Sequence, residues 1–237
     1  MTVTHHAVRP ARTDSIFFPV MALLMGLTAF AGFWPTFYLR PFTHSTKLLT
    51  PILAAHGTTF TLWVALMVVQ TGLIAANRRD VHRKLGWWGA GLAAVMLVLG
   101  IAAGIETLRR GFTLPGSPLN PASFFVVPVG AMVAFAPLVI LGIINRRRAD
   151  YHKRYMLLST LAILTAAIAR IPRLEAPAVF FALTDLFIVA VMAYDVAIRG
   201  RVHRATLISA AILIASQVGR LMIGPTEWWQ AFANLFV

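Results

Sequence analysis

The chain contains no cysteine and carries little charge. None of its 237 residues is Cys, which excludes disulfides, thiolate metal ligands, covalently attached haem and a thiol nucleophile. Charged residues make up 12% of the sequence and hydrophobic residues 59%. Soluble domains carry about twice as much charge. This composition and a mean hydropathy of +0.76 therefore predict an integral membrane protein.

Long apolar runs predict the fold class. A bilayer core about 30 Å thick needs roughly 20 residues of helix, whereas a membrane barrel would show short alternating strands. We predict an all-α integral membrane protein with a seven-transmembrane-helix bundle over residues 15–224. A cytoplasmic tail, 1–14, precedes the bundle, and an amphipathic aromatic segment, 225–237, follows it as an interfacial helix. The predicted spans are 15–34, 51–76, 85–106, 122–144, 155–171, 178–198 and 205–223.

The first apolar run also has features of a cleaved secretory signal. Arg9 and Arg12 precede it, and Ala29-Phe30-Ala31 resembles a cleavage site. Cleavage there would leave six helices. The run continues past this site to Trp34, so a retained first helix is the preferred interpretation.

Lys and Arg cluster at one end of the predicted spans. Because cationic flanks stay in the cytoplasm during insertion, these clusters place the amino terminus inside and the carboxyl terminus outside. The net charge of +13 then marks a cationic rim that contacts the anionic headgroups of the cytoplasmic leaflet. The distribution does not favour a nucleic-acid partner. The clusters lie at 9–12, 78–84, 146–154 and 199–204.

A basic turn that carries a histidine occurs three times, and alternate turns lie on the same side of a bilayer. The three imidazoles are therefore expected at one depth near the cytoplasm, with Asp195 one turn inside the sixth span. Three imidazoles and a carboxylate match the ligand count of a non-haem transition metal such as Zn, Fe or Cu. Two imidazoles on facing helices would instead hold a b-type haem. The copies lie at 77–84, 145–154 and 201–204 and carry His82, His152 and His203.

The leading functional hypothesis is a metal or haem site at the cytoplasmic ends of the third, fifth and seventh predicted spans. Such a site would support redox or metal-dependent chemistry on a lipid-soluble substrate, with Asp195 as a further ligand or as the group that orients an imidazole. No catalytic residue is assigned. The structural alternative is that each histidine begins a helix and satisfies free backbone amides there.

Five polar residues form a second candidate group, toward the outer side. They would serve a transporter or small-molecule binder, with His56 and Glu106 transferring protons and the arginines holding an anionic ligand. The structural alternative is a buried ion pair between Asp185 and an arginine. A third functional class is an accessory subunit without chemistry of its own, bound to another membrane protein. The five residues of this outer polar cluster are His56, Glu106, Arg170, Asp185 and Arg220.

Three histidine motifs carry a resemblance to known sequences. Together with Asp185, Asp195 and Val202-His203-Arg204, they resemble a family of uncharacterised bacterial multi-pass membrane proteins from about residue 51 to the end. The resemblance implies a multi-pass protein of the bacterial cytoplasmic (inner) membrane and supplies no activity. A looser similarity extends to haem-binding membrane cytochromes and oxidase-assembly proteins. The motifs are His56-Gly57, His82-Arg83-Lys84-Leu85-Gly86 and His152-Lys153-Arg154-Tyr155-Met156.

Overall fold

A computed structural model describes residues 13–40, 49–113, 119–171 and 177–237, except for the side chains at 177 and 178. Every regular element in these ranges is helical. Nearly all of the predicted tail, including Arg9 and Arg12, lies outside them. The elements are α1 (Asp14–Phe33) with a π-helical turn (Trp34–Tyr38), α2 (Pro51–Ala75), α3 (Arg79–Arg109), α4 (Pro121–Phe124), α5 (Val126–Ile144), α6 (Ala149–Ile168), α7 (Pro177–Arg199), α8 (Arg204–Ile223) and α9 (Glu227–Asn234).

Six helical segments are long and apolar enough to cross a membrane, so the prediction of an all-helical, multi-pass protein is confirmed in this form. Helix α6 is not among the six. Its first turns carry Asp150, His152, Lys153 and Arg154, which leaves too short an apolar stretch. The six segments are Asp14–Tyr38, Pro51–Ala75, Arg79–Arg109, Pro121–Ile144, Val179–Arg199 and Arg204–Ile223.

Helix α6 is the centre of the bundle. It packs against α1, α5, α7 and α8, and most of its side chains are buried. A helix covered by protein on all sides can hold polar groups that pair with its neighbours. Thr160, for example, accepts a 3.0 Å hydrogen bond from Nε1 of the buried Trp63 on α2. The polar residues that exclude α6 from the candidate spans are therefore residues that contact the neighbouring helices.

The helix ends differ from the predicted ones at the basic turns. Helix α3 begins at Arg79 and α6 at Ala149, so His82 and His152 lie inside the first turn of their helices. Only His203 precedes its helix, as the residue that caps α8. The three histidines therefore do not occupy equivalent positions.

The carboxyl-terminal segment is helical, as predicted. Trp229 and Ala233 on α9 are buried against Leu108 and Phe125, and Trp229 Nε1 donates a 3.1 Å hydrogen bond to the backbone oxygen of Ala122. Helix α9 thus rests on α4 through its aromatic face. Its location in the membrane interface stays a prediction.

Candidate functional site

His82 and His152 form a pair of imidazoles. Their ring centroids are 6.1 Å apart and their planes are nearly perpendicular, at 87°. Each histidine lies in the first turn of the helix that follows a basic turn. Helix α3 packs on α2 and α5, and α6 packs on α5, so α5 brings the two first turns together. The structure therefore assembles two of the three predicted histidines.

The imidazole of His152 is held in one orientation by the backbone. Its Nδ1 lies 2.8 Å from the carbonyl oxygen of Gly142, near the end of α5. A carbonyl can only accept, so Nδ1 carries a proton, and in the neutral ring Nε2 then keeps its lone pair. A neutral imidazole with Nδ1–H bonded to a carbonyl is the usual state of a histidine that ligates through Nε2.

His82 meets the side chain of Gln70 on α2. Gln70 Nε2 donates a 3.3 Å hydrogen bond to the backbone oxygen of His82. His82 Nδ1 and Gln70 Oε1 are both buried, and neither has a hydrogen-bond partner among the described residues. Buried polar atoms without partners are rare in folded proteins. The polar group at this end thus consists of His82, His152 and Gln70, which the sequence analysis did not assign to the site.

His203 is separate from this pair and caps a helix. Its Nδ1 accepts a 3.1 Å hydrogen bond from the backbone N–H of Ala205. Its ring packs against that of Tyr151 in a T-shaped arrangement, with centroids 4.6 Å apart. His203 thus satisfies a free backbone amide at the start of a helix, which is the structural alternative considered for the repeated histidines.

Asp195 is a structural residue in a buried ion pair. It is fully buried, as is Arg154 of α6, whose Nε donates a 2.9 Å hydrogen bond to Asp195 Oδ1. The second oxygen, Oδ2, accepts from Thr206 Oγ1 at 2.5 Å and from the backbone N–H of His203 at 3.1 Å. Both oxygens are engaged, so Asp195 joins α6, α7 and α8 and contacts the backbone of His203 rather than its ring.

The predicted site of three histidines with Asp195 is therefore not assembled. In the described ranges, no group of three or more His, Asp or Glu side chains is close enough to hold a metal ion. There are two physical reasons. The third basic turn is shorter, so His203 precedes its helix, and the carboxylate of Asp195 is paired with Arg154 and is not available to a metal.

A network of ion pairs lies at the same end of the bundle and was not predicted from the sequence. It consists of Asp14, Asp150, Lys153 and Arg199. Lys153 Nζ lies 2.9 Å from Asp14 of α1 and 2.8 Å from Asp150, and Arg199 of α7 lies 2.7 Å from Asp150. The spacing of Asp150 and Lys153 along α6 is that of neighbours on a helix surface, and this spacing was the available signal. The network ties α1 and α7 to the start of α6.

Members of the outer polar cluster have local partners. Asp185 accepts a 2.8 Å hydrogen bond from Gln217, and the described residues contain no ion pair between Asp185 and an arginine. Arg170 donates to the backbone oxygen of Ala166 at 2.6 Å, and Arg220 donates to Ser216 Oγ at 3.0 Å.

The two remaining members lie on α2 and α3. The ring of His56 packs against Phe60 with centroids 4.0 Å apart and planes inclined at 35°, and its Nδ1 is buried without a partner among the described residues. Glu106 is half-buried on α3. Asp185 was expected to pair with Arg170 or Arg220 and instead accepts a hydrogen bond from the amide of Gln217. A joint site of all five residues stays a prediction.

Comparison with protein-family models, with curated proteins and with solved structures found no match to this chain. The resemblance noted in the sequence stays a prediction.

Protonation of His203 is expected to loosen the start of α8. Burial, and then the nearby Arg154 and Arg199, lower the pKa of His203 below its ordinary value. Because the folded-state pKa lies below that of the unfolded chain, about 6.5, the cap contributes stability above that pH and loses it as the pH falls. The protonated Nδ1 cannot accept from Ala205. Hydrogen exchange of the amides at the start of α8, corrected at each pH for the intrinsic exchange rate, should show protection that decreases from pH 7.5 to pH 5.

The matched control for this prediction is His203→Asn, because Asn caps a helix and does not titrate. In the variant, the corrected protection of the amides at the start of α8 should depend less on pH. Equal pH dependence in the two proteins would contradict the prediction.

Proposed function

We propose that this chain is a seven-helix protein of the bacterial cytoplasmic membrane, with α6 as the seventh span and the amino terminus in the cytoplasm. The position of α6 among α1, α5, α7 and α8 supports this, because a helix enclosed by spanning helices runs through the same membrane depth. The basic turns would then form one cationic face against anionic headgroups. The aromatic helix α9 would lie at the opposite interface.

The function that the geometry supports best is binding of a redox cofactor between His82 and His152. The observation that carries the proposal is the 6.1 Å separation of their ring centroids. Nitrogens that share one metal ion lie within roughly 4 Å of each other, because each bond is near 2 Å. Two imidazoles whose nitrogens face one another across a shared ion would therefore have ring centroids about 6 Å apart, and the observed separation matches that distance.

The number of ligands favours haem over a protein-bound Zn site. Two imidazoles would suffice to hold a b-type haem, whereas zinc sites use three or four protein ligands. A haem also carries two carboxylates. Arg146, from the turn between α5 and α6, lies over the ring of Trp87 on α3 at 6.0 Å and supplies a cation at this end of the bundle. When bound, the haem would supply electron transfer to or from a lipid-soluble substrate.

The residues of the chain would bind and orient this cofactor. His152 would ligate through Nε2, because its Nδ1–H is bonded to Gly142 O. His82 would ligate from α3. The apolar bundle beside the pair would exclude water, which tunes the reduction potential. A non-haem Fe or Cu ion between the same two imidazoles, with water or substrate at the other positions, is the alternative cofactor.

His82→Ala and His152→Ala are each expected to abolish cofactor binding, because each removes one of two ligands. The purified wild-type protein should show a Soret band, or acquire one on titration with haemin, and should show the low-spin spectrum of two imidazole ligands after reduction. Metal analysis of the same sample reports Fe, Cu and Zn. His203→Ala is the matched control, since it removes the third copy of the motif, and it should keep the spectrum.

The outcomes separate the candidate functions. Loss of the spectrum in His203→Ala to the same extent as in the other two variants would overturn the assignment of the pair. Stoichiometric Fe or Cu without a Soret band would support the non-haem alternative. Wild-type protein that binds neither haemin nor a metal would sink the proposal, and leave a binder at the outer polar cluster or an accessory subunit.

A further inference from the structure

His82 Nδ1 and Gln70 Oε1 are two buried atoms of opposite hydrogen-bonding capacity in contacting residues. Neither has a partner among the described residues, although Gln70 Nε2 contacts the backbone oxygen of His82 at 3.3 Å. That contact assigns the amide, because a carbonyl oxygen must face Nε2 and not Oε1. Oε1 is therefore an acceptor without a donor, and Nδ1 of the neighbouring residue is a potential donor without an acceptor.

The pair of helices α5 and α6, with the basic turn between them, shows the arrangement that would satisfy both atoms. There His152 Nδ1 is bonded to the carbonyl of Gly142, 10 residues earlier and in the last turn of the preceding helix. In the corresponding pair of helices α2 and α3, Gln70 lies 12 residues before His82, near the end of α2. Both histidines follow matching basic turns. A carbonyl from the end of the preceding helix thus holds Nδ1 in one copy, and in the other the preceding helix carries an amide oxygen without a donor.

We propose that Gln70 Oε1 accepts a hydrogen bond from His82 Nδ1–H and so acts as the positioning residue of His82. The bond fixes the tautomer in which Nε2 holds the lone pair, and it orients the ring toward His152. The bond would satisfy both of these buried atoms. The orientation toward a shared ligand rests on the proposed function, whereas the tautomer of His82 does not.

Two substitutions at Gln70 and one elsewhere test this role. Gln70→Leu keeps the approximate volume and removes the acceptor, and Gln70→Glu keeps an acceptor and adds charge. Gln217→Leu is the matched control, because Gln217 is also a membrane-helix glutamine but is bonded to Asp185. Thermal unfolding in detergent, measured for every variant, shows whether the fold is retained.

The first readout needs no cofactor. The ¹⁵N chemical shifts of the His82 ring, measured in ligand-free protein, distinguish Nδ1–H from Nε2–H. The wild-type protein and Gln217→Leu should show Nδ1–H, and Gln70→Leu should lose this preference. An unchanged tautomer in Gln70→Leu, or an Nε2–H tautomer in the wild-type protein, would overturn the inference.

The second readout uses haemin and Zn²⁺ as probes. Groups that orient a ligating histidine typically change affinity by about 10- to 100-fold when removed, so Gln70→Leu should weaken binding of the probe by this factor. Gln70→Glu should retain affinity and lower the midpoint potential of bound haem, because a carboxylate makes the imidazole a stronger donor. A wild-type affinity and potential in Gln70→Leu would contradict positioning.

The two proposals fail differently. Wild-type protein that binds neither probe ends the proposed function, and the ¹⁵N shifts still decide whether Gln70 fixes the tautomer of His82. Binding that depends on His82 and His152 but not on Gln70 supports the cofactor site and overturns the role of Gln70.

Discussion

Asp195→Ala is expected to destabilise the helical bundle by about 3–5 kcal/mol, the cost of breaking one side of a buried ion pair. The substitution removes the enclosed carboxylate of the pair, since both side chains are almost completely buried, and leaves Arg154 with only the more distant carboxylate of Asp150, at 3.6 Å. It also removes the acceptor for Thr206 Oγ1 and for the backbone N–H of His203. Chemical or thermal unfolding in detergent micelles, followed by circular dichroism, measures the loss.

Asp80→Ala is the matched control for this prediction. Asp80 pairs with Arg78 at 3.5 Å, and both side chains are about three-fifths exposed, at 62% and 61%. Exposed pairs contribute about 0–1 kcal/mol, so this variant should unfold like the wild type. A loss of stability in Asp80→Ala as large as that in Asp195→Ala would show that the buried pair has no special role.

A double-mutant cycle separates the ion pair from its surroundings. Arg154→Leu combined with Asp195→Ala removes both charges, and buried ion pairs can be replaced by apolar groups at little cost. The double variant should therefore lose less stability than the sum of the two single variants. Strict additivity would contradict the coupling between Arg154 and Asp195.

Gly32→Ala is expected to destabilise the contact between α1 and α6 by about 3 kcal/mol, the upper end of the usual cost of an overpacked core. A Cβ at position 32 would lie 2.6 Å from the carbonyl carbon of Ala167 and 2.7 Å from its Cα, and closer still to its oxygen. These are backbone atoms, so no side-chain rotation relieves the overlap. The two helices must separate, which disturbs the central helix of the bundle. Thermal unfolding in detergent measures the effect.

Gly26→Ala is the control on the same helix. A Cβ there would meet Val68 Cγ2 at 3.5 Å and Val64 Cγ1 at 3.6 Å, which are ordinary van der Waals contacts. Ala is favoured over Gly inside a helix by about 1 kcal/mol, so this variant should be as stable as the wild type or slightly more stable. The two substitutions should thus differ in sign. A shared sign would refute the close approach of α1 to α6.

Local sequence patterns predicted the helices well. All seven predicted runs are helical, and the carboxyl-terminal aromatic segment forms α9 as expected. Hydropathy is a sum over neighbouring residues, so it reports a helix without knowledge of its surroundings. Residues 155–171 were predicted as a span on this basis, but α6 begins at Ala149 and its charged first turns remove it from the candidate spans. A local sum counts Lys153 and Arg154 as charges and does not include the pairing with Asp14 and Asp195.

The candidate site was predicted in part. Repetition of the basic turn identified His82 and His152 as related residues, and the structure places their rings together. The same repetition also selected His203, whose ring instead caps α8. Gln70 could not be found from the motif, because its relation to His82 depends on the rotation of α2 against α3.

Sequence by itself determined the class of the protein, its helices and the basic turns that carry the histidines, because each of these is a property of residues near one another in the chain. Tertiary structure alone decided which histidines meet and which carboxylate pairs with which cation. Arg154 and Asp195 are 41 residues apart, and their pairing follows from the packing of α6 against α7. Local periodicity cannot specify that packing, since contacts between helices depend on the shape and rotation of both surfaces.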